Sequence, residues 1–220
     1  MMKKIGFLLA SMMLFSALFD YALAQESKFG FHGGVNISRL KFDDYSNNSR
    51  VANVLGGLYY GYEFNELLGV QAGLDFTLTG TEESSRQFDP ETGESYDWNF
   101  EMSFDNWRIP IVFTVSPTEW LRFNVGPQLS FCSKGEIFDT KAQEYGGQVR
   151  YKLSRKEYNV FDIQAVAGVD FRFYQRFILG LRYVYGFRNV LKDNFGMDYE
   201  IMNAGKSYHR AATITFGLEF

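Results

Sequence analysis

Two sets of side chains in this chain have the types needed for ionic chemistry, and their spacing places them on one face of alternating segments. Glu63, Asp75, Asp162, Asp170 and Glu219 supply carboxylates, while Arg108, Arg122, Arg172, Arg182 and Arg188 supply an equal number of guanidiniums. Confined together in a narrow interior, such groups must pair and hydrogen-bond, because an unpaired buried charge is expensive. Nucleophilic chemistry has thinner material. The chain has two histidines, His32 and His209, and Ser207 lies two residues before the second. A serine–histidine pair there is conceivable, but a satisfied or solvated histidine is the expectation, and no GxSxG, HExxH or CxxC motif occurs. The chain therefore reads as a non-enzyme with no catalytic residue, no cofactor and no metal site. The acidic stretch 80–99 (Glu82, Glu83, Asp89, Glu91, Glu94, Asp97) lacks the ligand spacing of a calcium loop and reads as solvated. The stretch 133–157 carries Lys134, Lys141, Arg150, Lys152, Arg155 and Lys156, basic groups suited to lipid phosphates or solvent.

Strands must position these groups. The final stretch, YHRAATITFGLEF from Tyr208 to Phe220, sets Ala212, Ile214, Phe216, Leu218 and Phe220 against Thr213, Thr215, Gly217 and Glu219. That is period-two alternation, with one apolar and one polar face. The same pattern recurs near 29–37, 58–64, 68–78, 107–115, 121–131, 161–173 and 177–187, making eight strands. Met102 and Phe104 have the opposite parity to Trp107, which predicts a bulge near Asp105–Asn106. Three connections are short, at 65–67, 116–119 and 174–176. The others, about 39–50, 80–99, 133–157 and 190–207, are long and polar. Aromatics gather at both ends of the apolar face: Phe64, Trp120, Phe173, Phe177 and Phe220 beside the short turns, Phe131, Tyr183, Tyr185 and Phe187 toward the long loops.

The N-terminus reads as a processing signal. Lys3 and Lys4 precede an apolar run from Ile5 to Phe19, and Ala22-Leu23-Ala24 supplies a small-x-small cleavage site. Residues 1–24 are thus expected to be a signal peptide and 25–220 one domain. The net charge of −4 gives no sign of nucleic-acid binding. Cys132 is the single cysteine, so no intrachain disulfide is possible and stability must come from the fold.

These features predict an all-β, eight-stranded antiparallel up-and-down barrel that crosses the outer membrane, with short periplasmic turns and long extracellular loops. An eight-stranded barrel has an interior just wide enough for side chains, so the five acids and five arginines are expected to plug the lumen as a salt-bridged network. The apolar face would meet lipid and lipopolysaccharide. A soluble, lipocalin-like carrier with the apolar face inward is the rival that alternation by itself leaves open.

The segment Trp107-Arg108-Ile109-Pro110-Ile111, with Leu181 to Val190 (LRYVYGFRNV), resembles the PorT-like outer-membrane β-barrel family of Bacteroidota. That resemblance implies a transmembrane barrel and, for some members, an accessory role in type IX secretion. It assigns no such role to any residue here. Resemblance to outer-membrane barrels generally implies that Phe216, Leu218 and Phe220 form a recognition signal for the barrel-assembly machinery. The expected role is structural or loop-mediated binding through 80–99 and 133–157, with secretion or transport as the alternative.

Overall fold

The computed structural model describes residues 27–42, 48–88, 95–139, 150–174, 176–192 and 206–220. The expected signal peptide, 1–24, lies outside them. The strands are β1 (Ser27–Phe42), β2 (Asn48–Glu63), β3 (Leu68–Phe88), β4 (Ser95–Thr118), β5 (Leu121–Asp139), β6 (Arg150–Lys152), β7 (Phe161–Phe173), β8 (Phe177–Gly186) and β9 (Ser207–Glu219). All pairings are antiparallel, and they join sequence neighbours except that β5 also pairs with β7 past the short β6 and that β1 pairs with β9. The β1–β9 ladder, from Gly30↔Glu219 to Phe42↔Ser207, closes the sheet. Eight strands thus form a barrel without a free edge, and β6 flanks the far end of β5. Closure matters because an unpaired edge inside hydrocarbon would leave backbone groups unsatisfied.

The two faces have opposite chemistry. Phe29, Phe31, Val35, Val54, Leu58, Phe76, Trp107, Phe113, Val125, Ile214 and Phe216 stand exposed on the outside. Asn36, Gln71, Asp75, Arg108, Arg122, Asn124, Gln128 and Asp170 are buried inside. A lipocalin-like carrier needs the reverse, so that alternative is excluded.

Three expectations need correction. The stretch 80–99 is a hairpin rather than a loop, because β3 and β4 remain paired from Gly80↔Ser103 to Phe88↔Ser95. β3 is 21 residues long and its lipid-facing part ends near Leu78, so about 30 Å of strand continues past that point. Likewise β5 runs to Asp139 and β6 forms inside the stretch 133–157. The connection about 39–50 is also shorter than expected, since β1 reaches Phe42 and β2 starts at Asn48, whereas the one about 190–207 keeps its length, between the end of β8 at Gly186 and the start of β9 at Ser207.

The second correction concerns the bulge. The ladder does shift beside Asp105 and Asn106, but the extra residue is Ser133 on β5, because Asn106 pairs with Cys132 and Asp105 with Lys134. β4 keeps its parity, so Met102 and Phe104 point inward with Arg108. Their apolar character comes from a change in the interior, not a change of face. Toward the long-loop end the interior turns apolar: Leu40, Phe42, Met102, Phe104, Cys132, Leu153, Tyr158, Val190 and Leu191 form one buried cluster.

The third correction is Arg188. β8 ends at Gly186, so the alternation that would aim Arg188 inward has stopped. The side chain is exposed at the rim, with its guanidinium 5.7 Å from the centre of the Phe161 ring. Replacing Arg188 with Ala is therefore expected to change unfolding stability by less than about 0.5 kcal/mol in a urea titration of the refolded barrel.

Candidate functional site

The interior is built in three layers. At the short-turn end, Arg122 donates two hydrogen bonds to Glu219, Nη1 to Oε2 at 3.0 Å and Nη2 to Oε1 at 2.9 Å. Arg172 bridges the two acids, 2.8 Å from Glu63 and 3.1 Å from Glu219. Tyr59 donates its hydroxyl to Glu219 Oε2 at 3.0 Å. Lys28 completes the group at 2.6 Å from Glu63. Lys28 escaped the sequence reading because the alternation there is recognisable only from Phe29. Its even position, two before Gly30, carries the signal.

Tyr59 reaches Glu219 because Gly30 leaves room. A Cβ at Gly30 would fall on the Tyr59 ring. Gly30→Val is therefore expected to displace Tyr59 and lower stability by about 1–3 kcal/mol, read as a lower urea midpoint.

The middle layer is more loosely paired. His32 Nε2 lies 3.1 Å from Asp75, and its ring stacks on Tyr59 with centroids 5.9 Å apart. Asp75 stands opposite Arg108 across β3–β4. Arg108 donates to Asn36 Oδ1 at 3.4 Å. Arg182 sits 3.7 Å from Asp170. A cavity sized for about one water lies among His32, Asp75, Arg108, Gln128 and Arg182. Asp162 meets no arginine side chain at ion-pair distance among the described residues. It accepts from Gln164 Nε2 at 2.8 Å and from the Arg188 backbone N–H at 3.1 Å. Arg188 thus touches the network only through its backbone.

The outer layer closes the barrel. Asn106 donates to Thr79 at 2.6 Å and to the Phe104 carbonyl at 3.0 Å. Above it, Phe104 meets Tyr158 edge-to-face at 6.0 Å and His209 at 6.2 Å. Tyr158 is carried over the mouth by its bridge to Leu191, braced by Asn159 N–H to the Val190 carbonyl at 2.8 Å and Lys192 N–H to the Glu157 carbonyl at 2.8 Å. Burial raises the Tyr158 hydroxyl above its ordinary range. Cys132 lies just past Phe131, the last lipid-facing residue of β5, and burial pushes its thiol up to about 12. A small maleimide at pH 7.5 is expected to label Cys132 only after urea unfolding; fast labelling of the folded barrel would contradict this packing.

The serine–histidine idea finds no geometry. The Ser207 hydroxyl donates to Asn189 Oδ1 at 3.0 Å and accepts from the Leu191 N–H at 3.1 Å, a structural use at the strand end. Side chains of 83–100 lie outside the described residues, so most of the acids of 80–99 have no placement. Phe216 and Phe220 are exposed on the lipid-facing side, and Leu218 is half-buried beside them. Phe220 pairs its backbone with Phe29 at 2.7 and 2.9 Å and sets its ring 6.1 Å from Phe31.

A closed antiparallel barrel with an apolar belt outside and ion pairs inside defines an eight-stranded outer-membrane protein. The chain belongs to the family described as outer membrane protein beta-barrel domain, whose model matches residues 23–192. Among solved structures, Neisserial surface protein A is similar at 9% identity and a TM-score of 0.52, covering 87% of this chain and 97% of that one. Ail, the attachment invasion locus protein of Yersinia pestis, is similar at 16% identity and a TM-score of 0.48, over 89% of this chain and 99% of its own. No curated protein sequence matches the chain. At these identities the Neisserial structure speaks for the fold alone.

Proposed function

We propose that this protein is a sealed, non-catalytic outer-membrane scaffold whose work is done on its long-loop side, outside the cell. One observation carries the reading: the interior is closed twice, by paired charges at the short-turn end and by an apolar cluster at the other. A lumen filled in this way offers no path for a solute. What remains available is the surface raised by β3, β4 and β5 beyond the lipid belt, 21, 24 and 19 residues long. Loop-mediated binding through the 80–99 hairpin and the 133–157 segment is the role this surface supports. The assembly-machinery signal at Phe216, Leu218 and Phe220, and cleavage after Ala24, belong to the same reading. So does a place among the PorT-like barrels of Bacteroidota, resting on the Trp107–Ile111 and Leu181–Val190 motifs. A secretion accessory role draws support from that resemblance only.

Trypsin added to intact cells tests the orientation. Cleavage at Arg86 or within 133–157, with the remaining barrel still membrane-bound, is expected. Complete resistance of these sites in intact cells, with ready cleavage in inverted membranes, would overturn it.

A further inference from the structure

Arg39 on β1 and Arg210 on β9 are direct cross-strand partners. They are the next outward-facing pair beyond Ile37↔Ala212, where the apolar face of these two strands stops. Like charges directly opposite each other are unfavourable in a sheet. Lys41, one outward step further along β1, adds a third cation opposite Tyr208. Among the described residues, no carboxylate lies within ion-pair distance of Arg39, Lys41 or Arg210.

Arg210 is also held in place. Its guanidinium lies 3.4 Å from the centre of the Tyr185 ring and 5.7 Å from that of Tyr208. Nη1 donates to the carbonyls of Gly186 and His209, each at 2.7 Å. Its residue is only 8% exposed. A fixed, planar cation beside two others, with no acid among the described residues to neutralise them, is a preorganised receptor for an oxyanion.

The surroundings specify where that oxyanion comes from. Below the three cations runs an apolar strip of Val35, Ile37, Ile214 and Phe216 on the lipid-facing wall. A ligand bridging both surfaces needs acyl chains for the strip and an anionic headgroup for the cations. We propose that Arg39, Lys41 and Arg210 bind the phosphate of a phosphorylated lipid embedded in the leaflet at the long-loop end. The proposal rests on that end facing outward only for which leaflet supplies the lipid. The binding chemistry itself does not depend on orientation.

The test uses the full mature barrel refolded in phosphatidylcholine nanodiscs doped with bisphosphorylated lipid A or its fully dephosphorylated form. Retained lipid is counted by native mass spectrometry. The phosphorylated form is expected to be retained and the dephosphorylated form lost. Arg39→Gln with Lys41→Gln, at the long-loop end of β1, is expected to lower retention more than tenfold, at about fivefold per cation. Arg210→Gln should lower it further, with folding checked by the heat-dependent shift in gel mobility. Arg176→Gln, at the short-turn end, should leave retention unchanged. Equal retention of both lipid forms, or unchanged retention in the Arg39/Lys41 double variant, would overturn the site. Displacement of the lipid by millimolar inorganic phosphate would reassign it to free anions and overturn the lipid assignment. Trypsin accessibility of intact cells is a separate readout, so failure of the orientation and failure of this site are distinguishable.

Discussion

Replacing Glu219 with Ala is expected to destabilise the refolded barrel by about 3–5 kcal/mol, the usual cost of removing one partner from a buried ion pair. Glu219 is 5% exposed and receives Arg122 through two hydrogen bonds, Arg172 through a third contact and Tyr59 through its hydroxyl. Its loss strands two guanidiniums in a space that water enters poorly. Glu63 already holds Arg172 and Lys28, so it cannot compensate fully. The companion variant Glu219→Met with Arg122→Met should recover most of the stability, since replacing both members of a buried pair by apolar groups is often near neutral. Urea titration of the barrel in lipid vesicles, followed by tryptophan fluorescence, measures both. A Glu219→Ala barrel within 1 kcal/mol of wild type would mean that the network is hydrated and weakly coupled.

The second large effect is expected at the opposite end. Phe104→Ala should destabilise the barrel by about 3–5 kcal/mol, because it empties the centre of the outer apolar cluster. Phe104 has no exposed surface and touches the rings of Tyr158 and His209. A Cβ at Gly135 would also come within 3.0 Å of its ring, so the packing around it is tight. Phe113→Leu, on the lipid-facing wall, serves as the contrast and should stay within about 0.5 kcal/mol, since lipid fills the difference. Equal effects at the two positions in the same urea titration would show that the cap is not a packed core.

The barrel was legible because alternation reports a physical boundary. Wherever a strand separates hydrocarbon from a polar interior, odd and even positions must differ, as they do from Leu121 to Phe131. The same logic put the acids and arginines of the lower lumen on the interior face, Glu219 and Arg122 among them, but it named no pairs, and these two meet across 97 residues of sequence. It failed where that boundary ends. Past the lipid belt both faces answer to other neighbours, so Met102 and Phe104 looked like lipid-facing residues although they fill the mouth. Arg188 failed for a related reason, since parity says nothing once β8 has stopped. The Arg39–Arg210 pair was illegible for a third reason. Cross-strand register between β1 and β9 is a property of closure, and no single segment carries it.

Single-channel recording in planar lipid bilayers tests the central claim most directly. The refolded wild-type barrel is expected to give no steady conductance in 1 M KCl, because charge pairs and the apolar cluster fill the lumen at both ends. Reproducible steps of long-lived, ohmic conductance from the purified protein would contradict the sealed interior and with it the proposed scaffold role.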